Sequence, residues 1–434
     1  MATSRLAPPA LGWLHLGAEE TRRAREVLRR LEHSDDTVDE LGFGVFRNGF
    51  ANQFFPGTNT VMTEVRYLFF IAALYRWIER SLEERASAVP DPLRASREMQ
   101  DQLRDRLRES YGNSTGHGII GIRAEHPVRY PSDIYWSSLR QLDFFRLSHD
   151  GEADYQRRLV HHHERTRGQA EAEATVEDDT SENWDPHAPY HQKCHDLIDD
   201  RGKFVRGLRF ELTRDEAAYL RDCYVGSIER PDAPLAGSLL AHLISLKKKV
   251  SFSYPWEAPS PPAPLRQPLD DAMRFSALAR GATLQYYFWL HRRREERKPP
   301  ASEADFPALF AIWWKAARPL LSADAFALEG FLERQRASMR AGRRDREFLT
   351  GWLAGLRSSG SAATFLSDQA TRSLIVAREQ HCKPRKARLT FDAYLERGDC
   401  EPAANDSPFH LDYRTPIGAK FVNAIVDGLR RGTT

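Results

Sequence analysis

Apolar side chains in this sequence recur every three to four residues and almost never every two. The stretch from Thr60 to Leu82 sets the pattern, with Val61, Val65, Leu68, Ala72, Tyr75 and Ile78 in register. Such spacing lines one stripe of an α-helix, whereas a half-buried strand needs strict alternation. Ala24, Val27, Leu28 and Leu31 mark a second helix over Ala18 to Glu32. Ser96 to Ser110 reads as a polar surface helix, and Ser132 as the N-cap of a helix carrying Tyr135, Trp136, Leu139 and Leu142. Thr213 with Glu216 is a capping box that opens a helix to about Val225. Further helices are predicted over Tyr155–Ala174, Pro234–Lys247, Leu269–Arg297, Phe306–Ala317, Asp324–Met339, Asp345–Leu356, Gly360–Gln380 and Ser407–Arg431, with a proline-rich loop from Tyr254 to Pro268. No internal repeat points to a solenoid. The expected fold class is mostly α.

A chain of 434 residues has room for more than one domain, and 41% hydrophobic residues are enough for a packed core. The net charge of +2 conceals a strong asymmetry. From Glu171 to Asp200 the acids Glu171, Glu173, Glu177, Asp178, Asp179, Glu182, Asp185, Asp196, Asp199 and Asp200 face Lys193 alone. We therefore expect two lobes joined by an acidic linker: an N-terminal helical domain over 1–150, a helix plus acidic linker or insertion over 151–200, and a C-terminal helical domain over 201–434. Within this division Thr175 to Pro189 reads as the linker itself. Elsewhere arginine dominates, at Arg292 to Arg294, from Arg334 to Arg346 and from Lys383 to Arg388. That excess is the footprint of a phosphate-backbone binder, although solvated helix faces rich in arginine explain it as well. The longest apolar run, Tyr67 to Tyr75, lies between Arg66 and Arg76 and falls short of the ~18–20 residues of a membrane span. The N-terminus reads as having no secretory signal, and Cys194, Cys223, Cys382 and Cys400 form no CxxC pair. A cytoplasmic, reducing setting without a membrane partner is expected.

Standard catalytic motifs are missing from the sequence. There is no GxxxxGK[ST] loop, no GxGxxG, no GxSxG elbow and no HExxH. Gly112, Gly116, Gly118 and Gly121 read as a loop. His161, His162 and His163 cannot all reach one ion, because neighbours on a helix point about 100° apart. His187, His191, Cys194 and His195 make a better metal set, since His191 and His195 at i, i+4 share a helical face. They need the Pro186–Pro189 loop to fold back, so the plain expectation is no metal and no cofactor. Glu211 is the nearest approach to a nuclease carboxylate, without a paired Asp.

Nucleic-acid contacts are the stronger prospect. Tyr286, Tyr287 and Trp289 precede Arg292, Arg293 and Arg294, which sets stacking groups beside phosphate partners. Lys383, Arg385, Lys386 and Arg388 surround a proline-bearing turn. Arg66 and Arg140 are further candidates. Tyr130 to Phe145, carrying Tyr135, Trp136 and Arg140, has the makings of a recognition helix in a small winged-helix-like element, with Phe144 and Phe145 closing it.

Leu11-Gly12-Trp13-Leu14, Phe54-Phe55-Pro56-Gly57-Thr58 with Arg66-Tyr67-Leu68-Phe69, Tyr130-Pro131-Ser132 with Tyr135-Trp136, and Tyr413-Arg414 to Asp427-Gly428-Leu429 form a set of boxes. This set resembles a bacterial family known only as a domain of unknown function, with Gly-Trp-Leu and Phe-Pro-Gly-Thr boxes. Thr415-Pro416 departs from it, standing where an aromatic residue is expected. The resemblance implies a component of phage-defence islands, found near helicases and phospholipase-D-like nucleases, and brings no catalytic residues with it.

Together these readings favour a non-catalytic, DNA-binding accessory subunit of an antiviral defence complex, acting with a helicase or nuclease on another chain. Two alternatives stay open. One is a metal-dependent nuclease around His187–His195, and the other a protein–protein scaffold whose acidic segment docks a basic partner or mimics DNA.

Overall fold

Helix signals in this sequence are local and mostly realised, and tertiary contacts decide where each helix starts. The computed structural model describes residues 39–83, 91–113, 115–123, 127, 129–146, 151–168, 183–190, 194–226, 235–296, 305–336, 338–339, 341–395 and 407–431. Within them the N-terminal part supplies α1 (Gly44–Phe54), α2 (Tyr67–Glu83), α3 (Pro92–Tyr111), α4 (Pro131–Gln141) and α5 (Glu152–Gly168). There follow α6 (Arg214–Val225), α7 (Leu239–Ser245), α8 (Ala263–Glu295), α9 (Phe306–Ala317) and α10 (Leu328–Arg334). The chain continues through α11 (Arg343–Ser358), α12 (Ala362–Leu366), α13 (Gln369–Cys382), α14 (Asp392–Leu395) and α15 (Thr415–Arg430). Among the described residues no strand occurs, only isolated bridges pairing Phe145 with Trp184 and Ile198 with Phe204. The protein is a multi-helix, all-α fold. The Leu11–Leu14 box, the Ala18–Glu32 helix, residues 169–182 of the acidic region and His191 lie outside the described residues.

α2 is buried along its whole first half, from Tyr67 to Tyr75, which fits its nearly unbroken apolar sequence. It begins at Tyr67 rather than Thr60 because the backbone before it is claimed elsewhere. The amides of Thr63 and Glu64 both donate to the Tyr135 hydroxyl at 3.0 Å, and that hydroxyl donates to the Glu64 carbonyl at 2.7 Å. In α4, Ser132 is not the cap. Pro131 takes the first helical position, the Tyr130 amide donates to Asp133 at 3.0 Å, and the buried Ser132 amide goes to Gln100. α3 buries Met99, Leu103 and Leu107, so it is a half-buried helix rather than a surface one. The capping box at Thr213 forms as read, with Glu216 donating its amide to the threonine and accepting from it.

α8 runs from Ala263, absorbing the end of the proline-rich stretch. Pro264 sits in the first turn, where an N–H has no helical acceptor, and Pro268 removes one bond only. This helix is the spine of the C-terminal part. Trp313 of α9 lies on Gly281 and donates its indole N–H to the Ala277 carbonyl at 2.9 Å. Trp352 of α11 donates to Gln285 at 2.9 Å, and Gln285 in turn donates to the Phe365 carbonyl at 2.7 Å.

Packing crosses the division expected at the acidic stretch. Phe46 of α1 stacks on Phe275 of α8 with ring centroids 4.4 Å apart, and Phe50 meets Tyr413 edge-on at 5.3 Å. The described end of the acidic region is packed as well. Trp184 is buried against Tyr75, Phe145 and Tyr155, and the buried Asp185 pairs with Arg146 at 3.0 Å and accepts the Tyr219 hydroxyl at 2.9 Å. A tryptophan and a tyrosine among the acids give this piece enough apolar surface to dock.

Candidate nucleic-acid interface

Two basic segments far apart in sequence meet at the C-terminal end of α8. Arg293 donates to the carbonyls of Arg388 and Thr390, at 3.2 and 2.9 Å, and pairs with Asp392 at 2.6 Å. Arg294 donates to the Leu395 carbonyl at 2.6 Å. Arg372 of α13 rests on the Trp289 ring, 4.6 Å from its centroid, and Arg292 lies 5.7 Å from the Phe288 centroid.

This convergence divides the sequence candidates into two groups. Arg293 and Arg294 are consumed in holding the turn against the helix. Lys383 and Arg388 both pair with the buried Glu40, at 2.9 and 3.4 Å, and only 6% of the Arg388 side chain is exposed. Arg292, Arg385 and Lys386 remain exposed, all within a few residues of that contact. No local signal in the sequence marks the placement of Arg372, since its aromatic partner lies on another helix.

The other candidates fall elsewhere. Arg66 is turned inward. Its Nε donates to both Glu216 oxygens, at 3.1 and 3.0 Å, and its Nη1 to the Arg209 carbonyl at 2.7 Å. Burial raises the Glu216 pKa while Arg66 opposes the rise. Arg140 is half-buried on α4. The recognition-helix reading of this segment is corrected: Tyr135 and Trp136 are buried against Tyr67, Tyr75 and Phe145, and no strand is there to make a wing among the described residues.

Of the metal candidates, His191 lies outside the described residues. His187 and His195 are exposed, and His195 lies 3.3 Å from Asp200. Cys194 to Asp196 is a single 3-10 turn rather than part of a regular helix, and among the described residues no group of three or more His, Cys, Asp and Glu suits an ion.

The described boxes, by contrast, come together. The Arg414 guanidinium donates to the Thr58 carbonyl at 2.6 Å and to Asn52 at 2.8 Å, and Tyr413 packs edge-on to Phe54. Asn59 donates to the Ile134 carbonyl at 2.7 Å, the Gly57 amide to Gln141 at 2.8 Å, and the Tyr224 hydroxyl to the Pro56 carbonyl at 2.9 Å. Tyr413 and Arg414 hold left-handed backbone, with φ of 50° and 65°, which costs a non-glycine residue energy that these contacts offset. Burial and the nearby charge of Arg47 lower the Arg414 pKa. The boxes are thus a structural junction, with Phe54–Thr58 at its centre.

Among the described residues no helix is long and apolar enough to cross a membrane. No curated protein and no solved structure matches the sequence. One family match extends over residues 9–428, nearly the whole chain, and on that match the chain belongs to DUF6361, a family of unknown function.

Proposed function

We propose that this protein is a non-catalytic, nucleic-acid-binding accessory subunit, working in the cytoplasm beside a helicase or nuclease of a bacterial antiviral defence complex. The observation that carries the binding part is the meeting of the two arginine- and lysine-rich segments through Arg293, which leaves Arg292, Arg385 and Lys386 exposed around one junction. Cations at one place on a folded surface neutralise neighbouring phosphates and release their counterions, which gives sequence-independent, salt-sensitive affinity. The defence setting and the partner rest on the boxes alone.

The test is DNA and RNA binding as a function of salt, for the natural protein and for a triple Arg292→Ala, Arg385→Ala, Lys386→Ala variant. The variant should bind more weakly, with the slope of log K against log salt shallower by up to about 0.9 per lost duplex contact or about 0.7 per single-strand contact. Preference among base sequences should hardly change. No salt-sensitive binding by the natural protein, alone or with a co-purified partner, would leave the scaffold reading in its place.

A further inference from the structure

A concave surface lined by none of these residues lies between α9, the turn that follows it and the end of α11. It encloses about 670 Å³ and is lined in part by Trp314, Lys315, Arg318, Leu321, Leu356 and Arg357. Its size falls within the roughly 300–1,000 Å³ of ordinary small-molecule sites. Three of its lining side chains are cationic and none is acidic. The nearest acid in sequence is the exposed Asp324, next to the lining residue Ala323. We propose that this cavity binds a nucleoside phosphate, with the phosphate held by Lys315 and Arg318 and the base against Trp314 and the apolar floor.

Each part of the lining has a separate job. Arg357 builds the wall: its guanidinium donates to the carbonyls of Leu321, Ser322 and Phe326 at 3.0, 3.3 and 2.6 Å, which fixes the turn after α9. Its partial burial lowers its pKa, so its charge is poorly hydrated there and an anion close by would favour it. Arg318 lies 4.9 Å from the Trp314 ring centroid and donates to the Ser359 carbonyl at 3.2 Å, so its guanidinium is held over the ring before any ligand arrives. A guanidinium over an indole is a surface that a flat base extends, while its remaining N–H groups and the Lys315 ammonium would meet the phosphate. Leu321 and Leu356 are fully buried beneath the lining, so the apolar floor open to a base is made by Trp314, Pro319 and Ala323. A lone inorganic anion would use the cations and leave Trp314 and this floor idle, which is why the chemistry points to a base joined to a phosphate.

The inference does not depend on the basic junction of α8 with the 383–395 turn, and its experiment separates the two. AMP, ADP and inorganic phosphate are titrated calorimetrically into the full chain, and short strands bearing a 5′-phosphate or a 5′-hydroxyl are compared by anisotropy. AMP or ADP should bind more tightly than inorganic phosphate. Lys315→Ala with Arg318→Ala should weaken that binding at least about tenfold, and Lys315→Glu alone, at an exposed position, should weaken it in the same direction. The Arg292, Arg385, Lys386 triple variant should leave it unchanged. A preference for the 5′-phosphorylated strand that the Lys315 and Arg318 substitutions abolish, without AMP or ADP binding, would assign the same site to a strand end. Binding of none of these probes, phosphate binding as tight as AMP, or affinity that survives the Lys315 and Arg318 substitutions would each overturn the proposal.

Discussion

The Tyr155 hydroxyl donates to the Glu79 carboxyl group at 2.7 Å inside a core from which water is excluded. Arg76 donates to the other oxygen at 2.6 Å, and Asn183 approaches the first at 3.4 Å. Burial nonetheless dominates and pushes the Glu79 pKa up to about 7, with the Arg76 charge and the hydrogen bonds opposing it. Above the ordinary value of 4.5 the unfolded chain releases a proton that the native state keeps. The stability linked to this group is therefore whole below that value and lost as pH rises through about 7. Over that window the loss is about 3 kcal/mol. Glu79→Gln cannot titrate, so its unfolding free energy relative to the natural protein should improve by about that amount between the two ends of the window. A difference that stays flat across this range, measured by denaturant unfolding, would rule the assignment out.

Arg66 and Glu216 form an ion pair at 3.0 Å with side chains only 11% and 5% exposed. Removing one member strands the other in a poorly hydrated place, so Arg66→Ala should cost about 3 kcal/mol of stability. Adding Glu216→Gln should recover part of the loss, since the neutral amide keeps a cap for α6 without a buried charge. The folded fraction of Arg66→Ala should keep its nucleic-acid salt slope. A loss below about 0.5 kcal/mol in the unfolding free energy would mean that the pair is solvated after all.

Gly281 lies in the middle of α8 under Trp313, where an added Cβ would collide with the indole Cζ2. Helix propensity alone makes Gly→Ala favourable by about 1 kcal/mol. The contact reverses the sign, because Trp313 is buried and tied to the Ala277 carbonyl and cannot retreat. Gly281→Ala should therefore lower stability by about 2 kcal/mol, and adding Trp313→Phe should return part of it. A stabilised Gly281→Ala protein in a thermal melt would show that the helices can separate there at little cost.

Arg292 and Arg293 are adjacent in sequence and should respond in opposite ways. Arg293→Ala removes three donated bonds that fasten the 388–392 turn and should cost about 1–2 kcal/mol. Arg292→Ala should leave the melting temperature in place and weaken nucleic-acid binding. Thermal melts and binding titrations on the two single variants decide this, and equal effects of both on stability would contradict the division.

Local chemistry was legible wherever a few neighbouring residues settle the outcome. Spacing of apolar residues gave the helices, Phe306–Ala317 to the residue, and Thr213 with Glu216 gave the start of α6, because helix formation and capping act within a turn or two of the chain. The start of α2 was not legible, since the Tyr135 hydroxyl, some 70 residues on, takes the amides that would have extended it. The docking of Trp184 was hidden by the acids around it, whose charge suggested a linker while the buried Tyr155 and Tyr75 awaited an aromatic partner. Charge was the hardest to read. Composition identifies a run of cations, but whether each reaches solvent depends on distant partners: Arg388 is spent on Glu40, 348 residues away, and Arg66 on Glu216, 150 residues away. Coulombic attraction and burial act through space rather than along the chain, so the number of basic residues was fixed by the sequence and their availability only by the packing.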